Sequence, residues 1–284
     1  MLGSEFINAY ASKGAAAWEA AALALAKEPN APSVVVWPWR DVHLTDGVNV
    51  LTLRVQSDVF SIGTPSDFVR LPLTPLIAQA IFNQFGWLMP TPMLVYRIWQ
   101  NATQLQPTAM VPNGGANLIQ YAAHSEIITR QLRDKSIDPA TFPLLGGIKK
   151  HVVISNQIVK GKVVIFGWYR PSPPAMNVFE DHTSMGNPTR QPIQPLSNVH
   201  GDFYVDYSHG IQGVAGTSGL NGQVVQTADV YRDPVLSKLV SHEGALRQIR
   251  YGEAPQALPS KGLLITPVSP GLSELGLSEF LRRG

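Results

Sequence analysis

The sequence predicts an α+β fold, with a helix-rich N-terminal half and an antiparallel sheet in the C-terminal half. Helix-forming runs with Thr-Pro starts dominate the chain before residue 135, and short β-branched runs between turns dominate after it. This segregation favours α+β over a doubly wound sheet, in which helices and strands alternate. No glycine-rich phosphate loop follows a predicted strand, so no motif indicates a nucleotide cofactor.

The predicted helices follow from helix-forming residues and from capping residues. Ala11 to Lys27 is a run of strong helix formers that Pro29 ends. Thr74-Pro75 and Thr91-Pro92 each start a further helix, because Thr supplies a capping oxygen and Pro fits the first helical position. A third helix is predicted over residues 116–133, and it places His124 on the protein surface.

The predicted strands follow from short β-branched and apolar runs. These runs cover residues 33–37, 48–56, 148–155, 162–169 and 199–207, with a strand–turn–strand unit over residues 58–70. Residues 171–195 form a long loop rich in Pro, Asn and Thr, and helical turns are predicted at residues 234–240 and 273–283. Residues 1–6 contain Gly-Ser and Glu-Phe, which are typical of cloning sites. We therefore predict a vector scar there and a single α+β domain over residues 7–284.

Composition limits the function. The chain has 284 residues, 44% of them hydrophobic and 15% charged, so it can bury a core and disorder is not expected. The net charge is +2 without a cationic cluster, which disfavours nucleic acid as a partner. Cysteine is absent, which removes disulfides, thiolate nucleophiles and sulfur-bound zinc. No apolar run reaches the ~20 residues of a membrane span, and scarce Lys with abundant Asn, Gln, Pro and Gly fits an extracytoplasmic or secreted protein.

The segment from His200 to His209 is the most unusual polar cluster of the sequence. Read as a strand, it places ionisable or polar side chains on one face and apolar or aromatic side chains on the other. Carboxylates gathered in this way need a cation, a metal ion or a histidinium beside them. A wet face of any antiparallel strand has the same pattern, so the segment is either a site or a solvated surface.

The first functional hypothesis is a hydrolase acting on a peptide or polysaccharide polymer of the cell-wall type. A histidine would act as general base, a carboxylate would orient it, and a tyrosine would donate a proton or contact the substrate. The candidate catalytic residues are His200, Asp202, Tyr204, Asp206 and His209. The candidate substrate-binding residues are Lys150, His151, Tyr207 and Ser208. The Lys149-Lys150 pair fits a solvated strand edge better than a site.

The second hypothesis is a metal enzyme. His200 and Asp202 would be two ligands of a non-haem Fe(II) site of the 2-oxoglutarate-dependent type, with His242 as the third ligand. A zinc hydrolase would use the same pair with His209 or His151. The cofactor is therefore unknown, with zinc or iron as candidates. The third hypothesis is a non-catalytic carbohydrate-binding or phage structural module in which the cluster only contacts a polymeric or small-molecule ligand.

Part of this segment resembles a known signature. Ser208-His209-Gly210 resembles the Ser-His-Gly of the L,D-transpeptidase motif Ser-His-Gly-Cys-x-Arg, and His200-Gly201 resembles the upstream His-Gly of that family. Position 211 is Ile where the family has its nucleophilic Cys. The resemblance therefore implies no transpeptidase chemistry.

A second resemblance covers more of the chain. Residues 68–92, the Lys149-Lys150-x-Val-Val strand and the block His-x-Asp-x-Tyr-x-Asp-Tyr-Ser-His-Gly at residues 200–210 are similar to a family of uncharacterised bacterial and fungal proteins. This resemblance implies one domain and a site near residues 200–210, and it implies no particular activity.

Overall fold

The computed structural model describes residues 1–110, 116–138, 141, 143–171, 192–259 and 262. The helices are α1 (Gly3–Tyr10), α2 (Ala15–Lys27), α3 (Pro75–Phe85), α4 (Pro92–Asn101), α5 (Leu118–Asp134), α6 (Thr227–Arg232) and a 3-10 turn at Leu236–Leu239. The strands are β1 (Trp39–Thr45), β2 (Val50–Val59), β3 (Ser61–Thr64), β4 (Asp67–Arg70), β5 (Thr103–Gln104), β6 (Leu145–Gly146), β7 (Lys150–Val152), β8 (Ile165–Gly167), β9 (Gln194–Ser197), β10 (His209–Gly210), β11 (Gln212–Val214), β12 (Thr217–Leu220) and β13 (Gln223–Gln226).

The predicted α+β class is confirmed, with more helix in the N-terminal part and sheets dominating the C-terminal half. The largest sheet runs β1-β2-β12-β13, with β11 also paired to β2, and its strands are antiparallel. It therefore combines two strands of the first half with three of the second. A second sheet runs β10-β7-β8-β9, in which β10 and β7 are parallel and the other pairs antiparallel.

Both Thr-Pro pairs begin helices as predicted, but the side chains of the two threonines make different hydrogen bonds. The Thr91 hydroxyl accepts a hydrogen bond from the Leu94 amide, which is the expected cap of α4. Thr74 at the start of α3 caps nothing with its side chain and instead donates through its backbone amide and its hydroxyl to the buried Glu19 carboxylate. Thr74 therefore joins α3 to α2.

Residues 1–6 take part in the fold. Gly3 begins α1, and Phe6 is fully buried in the main hydrophobic core. The Ser4 amide and hydroxyl both donate to the Asp67 carboxylate. Residues 3–6 therefore belong to the folded structure, while the vector origin of residues 1–6 and the single domain over residues 7–284 stay predictions.

Two predicted strands are wrong. Residues 33–37 form no strand, because only Val34 pairs with β3, in one isolated bridge to Ile62. Residues 199–207 form bends and turns with one isolated bridge, between Gly201 and Lys162, and the paired strand β10 begins only at His209. Side-chain hydrogen bonds within the segment favour this turn, as shown below. The predicted helix at 273–283, and residues 172–191 of the predicted loop, lie outside the described residues.

The parallel pair β7–β10 positions the candidate site. His209 lies opposite Lys150, and Gly210 lies opposite His151. A Cβ added to Gly210 would lie 2.8 Å from both Cβ and Cγ of Lys149, so only glycine allows this close approach.

Candidate functional site

Side chains on the two sides of the β7–β10 pair form two different polar groups. The outer cluster consists of Lys150, His200, Tyr204, Asp206 and His209. The inner network consists of Asp58, Arg70, His124 and Lys149. Lys149 directly precedes β7 and Lys150 begins it, and their side chains contact different groups, His124 and Asp206 respectively.

Asp206 organises the outer cluster and is 1% exposed. Its Oδ1 accepts hydrogen bonds from the Ser208 amide at 2.7 Å and from the Ser208 hydroxyl at 2.5 Å. Its Oδ2 accepts the Tyr204 hydroxyl at 3.0 Å and lies 4.0 Å from Lys150 Nζ. An Asp side chain that binds the amide two residues ahead makes an Asx turn, and this turn takes the place of the predicted strand.

The surroundings keep Asp206 ionised. Burial alone would raise the pKa of this carboxyl. The neighbouring His209, the hydroxyl and amide of Ser208 and the Lys150 ammonium outweigh burial and lower the pKa to about 2. Asp206 is therefore a carboxylate at neutral pH and a poor proton donor.

His209 is the least satisfied residue of the outer cluster. It is 1% exposed, and neither ring nitrogen has a hydrogen-bond partner within the described part of the chain. Burial lowers its pKa to about 4, against the opposing effect of Asp206 and with the help of the nearby lysines. The imidazole is therefore neutral at pH 7. A buried polar atom without a partner costs about 1–3 kcal/mol, so this ring is suited to hold water or a ligand.

His200 and Tyr204 form the half-buried wall of the cluster. Their rings stack with centroids 4.0 Å apart and an interplanar angle of 13°. The Tyr204 ring also meets the His209 ring edge-on at 5.6 Å. The stack brings His200 next to His209 although nine positions separate them in the sequence.

The inner network is fully buried. Lys149 is 0% exposed, and its Nζ lies 2.9 Å from His124 Nδ1 and donates to the Tyr207 carbonyl at 2.6 Å. His124 Nε2 lies 3.1 Å from the Thr108 carbonyl, so both ring nitrogens of His124 are paired. Burial, first of all, lowers the pKa of Lys149 to about 7 and that of His124 to about 2.

A buried ion pair completes the inner network. The Arg70 and Asp58 side chains are both 0% exposed, and Arg70 Nη2 lies 2.6 Å from Asp58 Oδ2. Arg70 Nη1 also donates to the Ser125 carbonyl and the Thr129 hydroxyl on α5. The pair therefore fixes α5 against the β3–β4 hairpin. Sequence reasoning missed it, because neither residue stands in a motif and their partners are distant in the chain.

The structure corrects two surface assignments. His124 was expected on the surface and is 0% exposed, because it packs under Tyr207 with ring centroids 5.0 Å apart. The Lys149-Lys150 pair is not simply a solvated edge, since Lys149 is buried and the Lys150 side chain is 19% exposed. A buried lysine next to a strand cannot be distinguished from a solvent-facing lysine by sequence pattern alone.

Some of the predicted site residues come together and others do not. The structure groups Lys150, His200, Tyr204, Asp206, Ser208 and His209 as described above. The Asp202 carboxylate makes no hydrogen bond or ion pair with any described residue, although its amide donates to the Gly161 carbonyl. Tyr207 is buried, and its hydroxyl pairs with the Met110 backbone, so it serves the core.

His151 is also separate from the outer cluster. It is 4% exposed, and its Nδ1 has no partner in the part of the chain that the structure describes. Burial and the nearby Lys149 lower its pKa to about 4. As the neighbour of Lys150 along β7, it points to the opposite face of the strand.

The metal hypotheses lack an assembled donor set. Among the described residues, no group of three or more His, Asp or Glu side chains is arranged to hold a metal ion. The sets His200–Asp202–His242, and His200–Asp202 with His209 or His151, are therefore not brought together. A His-x-Asp pair on a strand would share a face, but His200 lies in a bend, Gly201 forms a single bridge and Asp202 begins a turn, so the regular strand spacing does not hold.

Comparisons with known proteins add no identification. No protein-family model, no curated protein and no solved structure matches the chain. Within the described residues, none of the helices has the length and apolar character that a bilayer crossing requires.

Proposed function

We propose that the protein is a hydrolase that cleaves a peptide or polysaccharide polymer of the cell-wall type by acid–base catalysis at the outer cluster. The observation that carries the proposal is the buried, neutral His209, whose ring nitrogens are both unpaired among the described residues. A neutral imidazole can take a proton from water, and an unpaired one has a nitrogen available to do so.

The neighbours of His209 supply the other roles. The Asp206 carboxylate stabilises the imidazolium that forms when His209 accepts the proton. The Tyr204 hydroxyl, 3.0 Å from Asp206 Oδ2, is the proton donor to the leaving group. Ser208 is no nucleophile in this scheme, because its hydroxyl donates to Asp206 and makes no hydrogen bond to His209, the base that would have to activate it. Water is the nucleophile.

A polymeric substrate agrees with the surface next to the cluster. Phe203 is 83% exposed and Val199 is 68% exposed, and both are within a few positions of the half-buried His200–Tyr204 stack. Exposed aromatic and apolar side chains beside a polar cluster suit the faces of sugar rings and extended peptides. The extracytoplasmic location predicted from composition is part of this proposal.

The test is turnover of purified peptidoglycan, followed through newly released amino groups and reducing ends. We expect release by the wild type and a kcat lowered by about 10²- to 10⁴-fold in His209→Gln, because the general base is lost. His43→Gln is the matched control, since His43 is exposed and bonds Thr52 at 3.0 Å, far along the chain from the cluster. Unchanged turnover in His209→Gln, or no release by the wild type, contradicts the proposal.

A second candidate is binding without turnover. The exposed Phe203 beside the His200–Tyr204 stack favours it, because a sugar-binding surface needs aromatic faces and no general base. In that case Phe203→Ala weakens retention on the insoluble polymer, and neither wild type nor His209→Gln releases products.

A further inference from the structure

Lys150 is a cation with spare hydrogen-bonding capacity. Its side chain is 19% exposed, and its Nζ lies 4.0 Å from Asp206 Oδ2 and 5.2 Å from the centroid of the Trp168 ring. The ammonium carries three donors, and it makes no hydrogen bond to any residue that the structure describes. Its charge is therefore only partly compensated.

The Asp206 carboxylate already accepts hydrogen bonds from other groups and therefore does not satisfy the donors of the Lys150 ammonium. Ser208 donates twice to Oδ1, and the Tyr204 hydroxyl donates to Oδ2. The carboxylate thus accepts three short hydrogen bonds from groups other than Lys150. The contact between Lys150 and Asp206 is a long ion pair beside an already occupied acceptor.

Trp168 presents a second unsatisfied donor at the same place. The residue is 7% exposed, and its Nε1 has no hydrogen-bond partner among the described residues. An indole N–H can only donate, so it needs an acceptor from outside this set. The Lys150 ammonium lies over the ring of this indole, so the two donors belong to side chains in direct contact.

The backbone holds Trp168 in an unfavourable conformation. Its φ is 61°, in the left-handed region that bulky residues rarely adopt, and it follows Gly167 with φ 114°. The Trp168 amide donates to the Lys149 carbonyl at 3.0 Å, and its carbonyl accepts from the Ile193 amide at 2.9 Å. Such strain costs about 1–3 kcal/mol and concentrates at ligand sites. Here it sets the indole beside Lys150.

We infer that Lys150, Trp168 and His209 form a subsite for a carboxylate group of the ligand. The ammonium and the indole N–H donate to the carboxylate oxygens, and the neutral His209, whose strand pairs with that of Lys150, contributes its single N–H. Charge-assisted hydrogen bonds of this kind are about twice as strong as neutral ones. The inference rests on the proposed hydrolase site and adds that the substrate is anionic.

The carboxylate can come from a peptide C-terminus or from a sugar acid. The experiment follows the indole N–H signals of the six tryptophans in ¹H–¹⁵N spectra, with the signal of Trp168 assigned by its loss in Trp168→Phe. Acetate shifts this signal saturably, whereas acetamide does not. N-acetyl-D-alanine against its amide, and glucuronate against glucose, show which source binds.

Lys150→Gln weakens acetate binding by about tenfold or more, the equivalent of one charge-assisted hydrogen bond. Lys160→Gln removes the same charge at an exposed position and binds acetate like the wild type. Equal shifts with acetamide, no shift with acetate, or unchanged binding in Lys150→Gln overturn the inference. Binding is measured without turnover, so a protein that binds acetate but releases no product contradicts only the hydrolase proposal.

Discussion

His124 and His209 are both buried histidines whose pKa lies below the ordinary value, yet their hydrogen bonding differs. His124 has Lys149 at one ring nitrogen and the Thr108 carbonyl at the other. His209 has no partner at either nitrogen among the described residues. Burial is the main cause of both low pKa values, so a shifted pKa alone does not mark a site. The absence of hydrogen-bond partners at both ring nitrogens, within the part of the chain that the structure describes, is what distinguishes His209 as a candidate site residue.

The same contrast separates the two lysines at the start of β7, Lys149 just before the strand and Lys150 at its first position. Lys149 is fully buried and bonded on the inner side, whereas Lys150 is partly exposed with unused donors on the outer side. A polar network that is satisfied internally stabilises a fold. One that is left incomplete has atoms available for a ligand. The inner network is therefore expected to govern stability and the outer cluster to govern binding and turnover.

The largest effect is expected from breaking the buried ion pair. Asp58→Asn leaves the Arg70 charge buried without its counter-ion, and we expect a loss of about 3–5 kcal/mol in the free energy of unfolding. Urea denaturation measures it. Glu126→Gln is the control, because Glu126 pairs with Arg130 and Arg133 on the surface and should cost less than about 1 kcal/mol. Equal losses would show that burial of the pair is unimportant.

Exchanging Lys149 and Lys150 in turn for methionine tests this difference directly. Lys149→Met leaves His124 Nδ1 and the Tyr207 carbonyl without their donor, and we expect a loss of about 2–3 kcal/mol in unfolding free energy. Lys150→Met should cost less than about 1 kcal/mol but abolish acetate binding. Urea denaturation measures the unfolding free energy of both variants, and acetate titration of the Trp168 indole N–H signal measures their binding. The opposite assignment of effects would reverse the roles given to the two faces.

Gly210→Ala tests the close approach that separates the faces. The added Cβ would lie 2.8 Å from Lys149 Cβ and 2.9 Å from Val59 Cγ1, and we expect a loss of about 1–2 kcal/mol from overpacking. Thermal unfolding measures it. In Gly219→Ala, the added Cβ meets Thr52 at an ordinary 3.6 Å, so this control should change stability by less than about 0.5 kcal/mol. A tolerated alanine at position 210 would mean that the β7–β10 spacing is adjustable.

The smallest effect is a change in the pH dependence of stability. The folded pKa of His209, about 4, lies below the ordinary 6.5, so the unfolded chain binds more protons between these values. Stability is therefore lost as the pH falls from about 6.5 to 4. Removing this titration in His209→Gln should reduce the loss between pH 7 and pH 5 by on the order of 1 kcal/mol. Denaturation curves of the wild type and of His209→Gln at pH 7 and pH 5 measure this difference. An equal loss of stability in the two proteins would mean that His209 is not buried in the neutral form.

Local patterns predicted much of the fold. The Thr-Pro starts gave α3 and α4, and the β-branched runs at residues 148–155 and 162–169 gave the β7–β8 hairpin. The strand predicted over residues 199–207 is wrong, because the alternation of polar and apolar residues does not reveal that the Asp206 side chain binds the Ser208 amide and closes a turn. Periodicity reports which residues alternate, not which side chains replace the hydrogen bonds of a sheet.

The sequence by itself determined the α+β class, the helix starts and a concentration of ionisable residues between His200 and His209. Only the tertiary structure decided which of them meet. It joined Lys150 to Asp206, separated Asp202 and Tyr207 from the cluster, and buried Lys149. Those outcomes depend on the pairing of β7 with β10, residues nearly sixty positions apart. Contacts over such separations are set by packing of the whole chain, which no local pattern of residues contains.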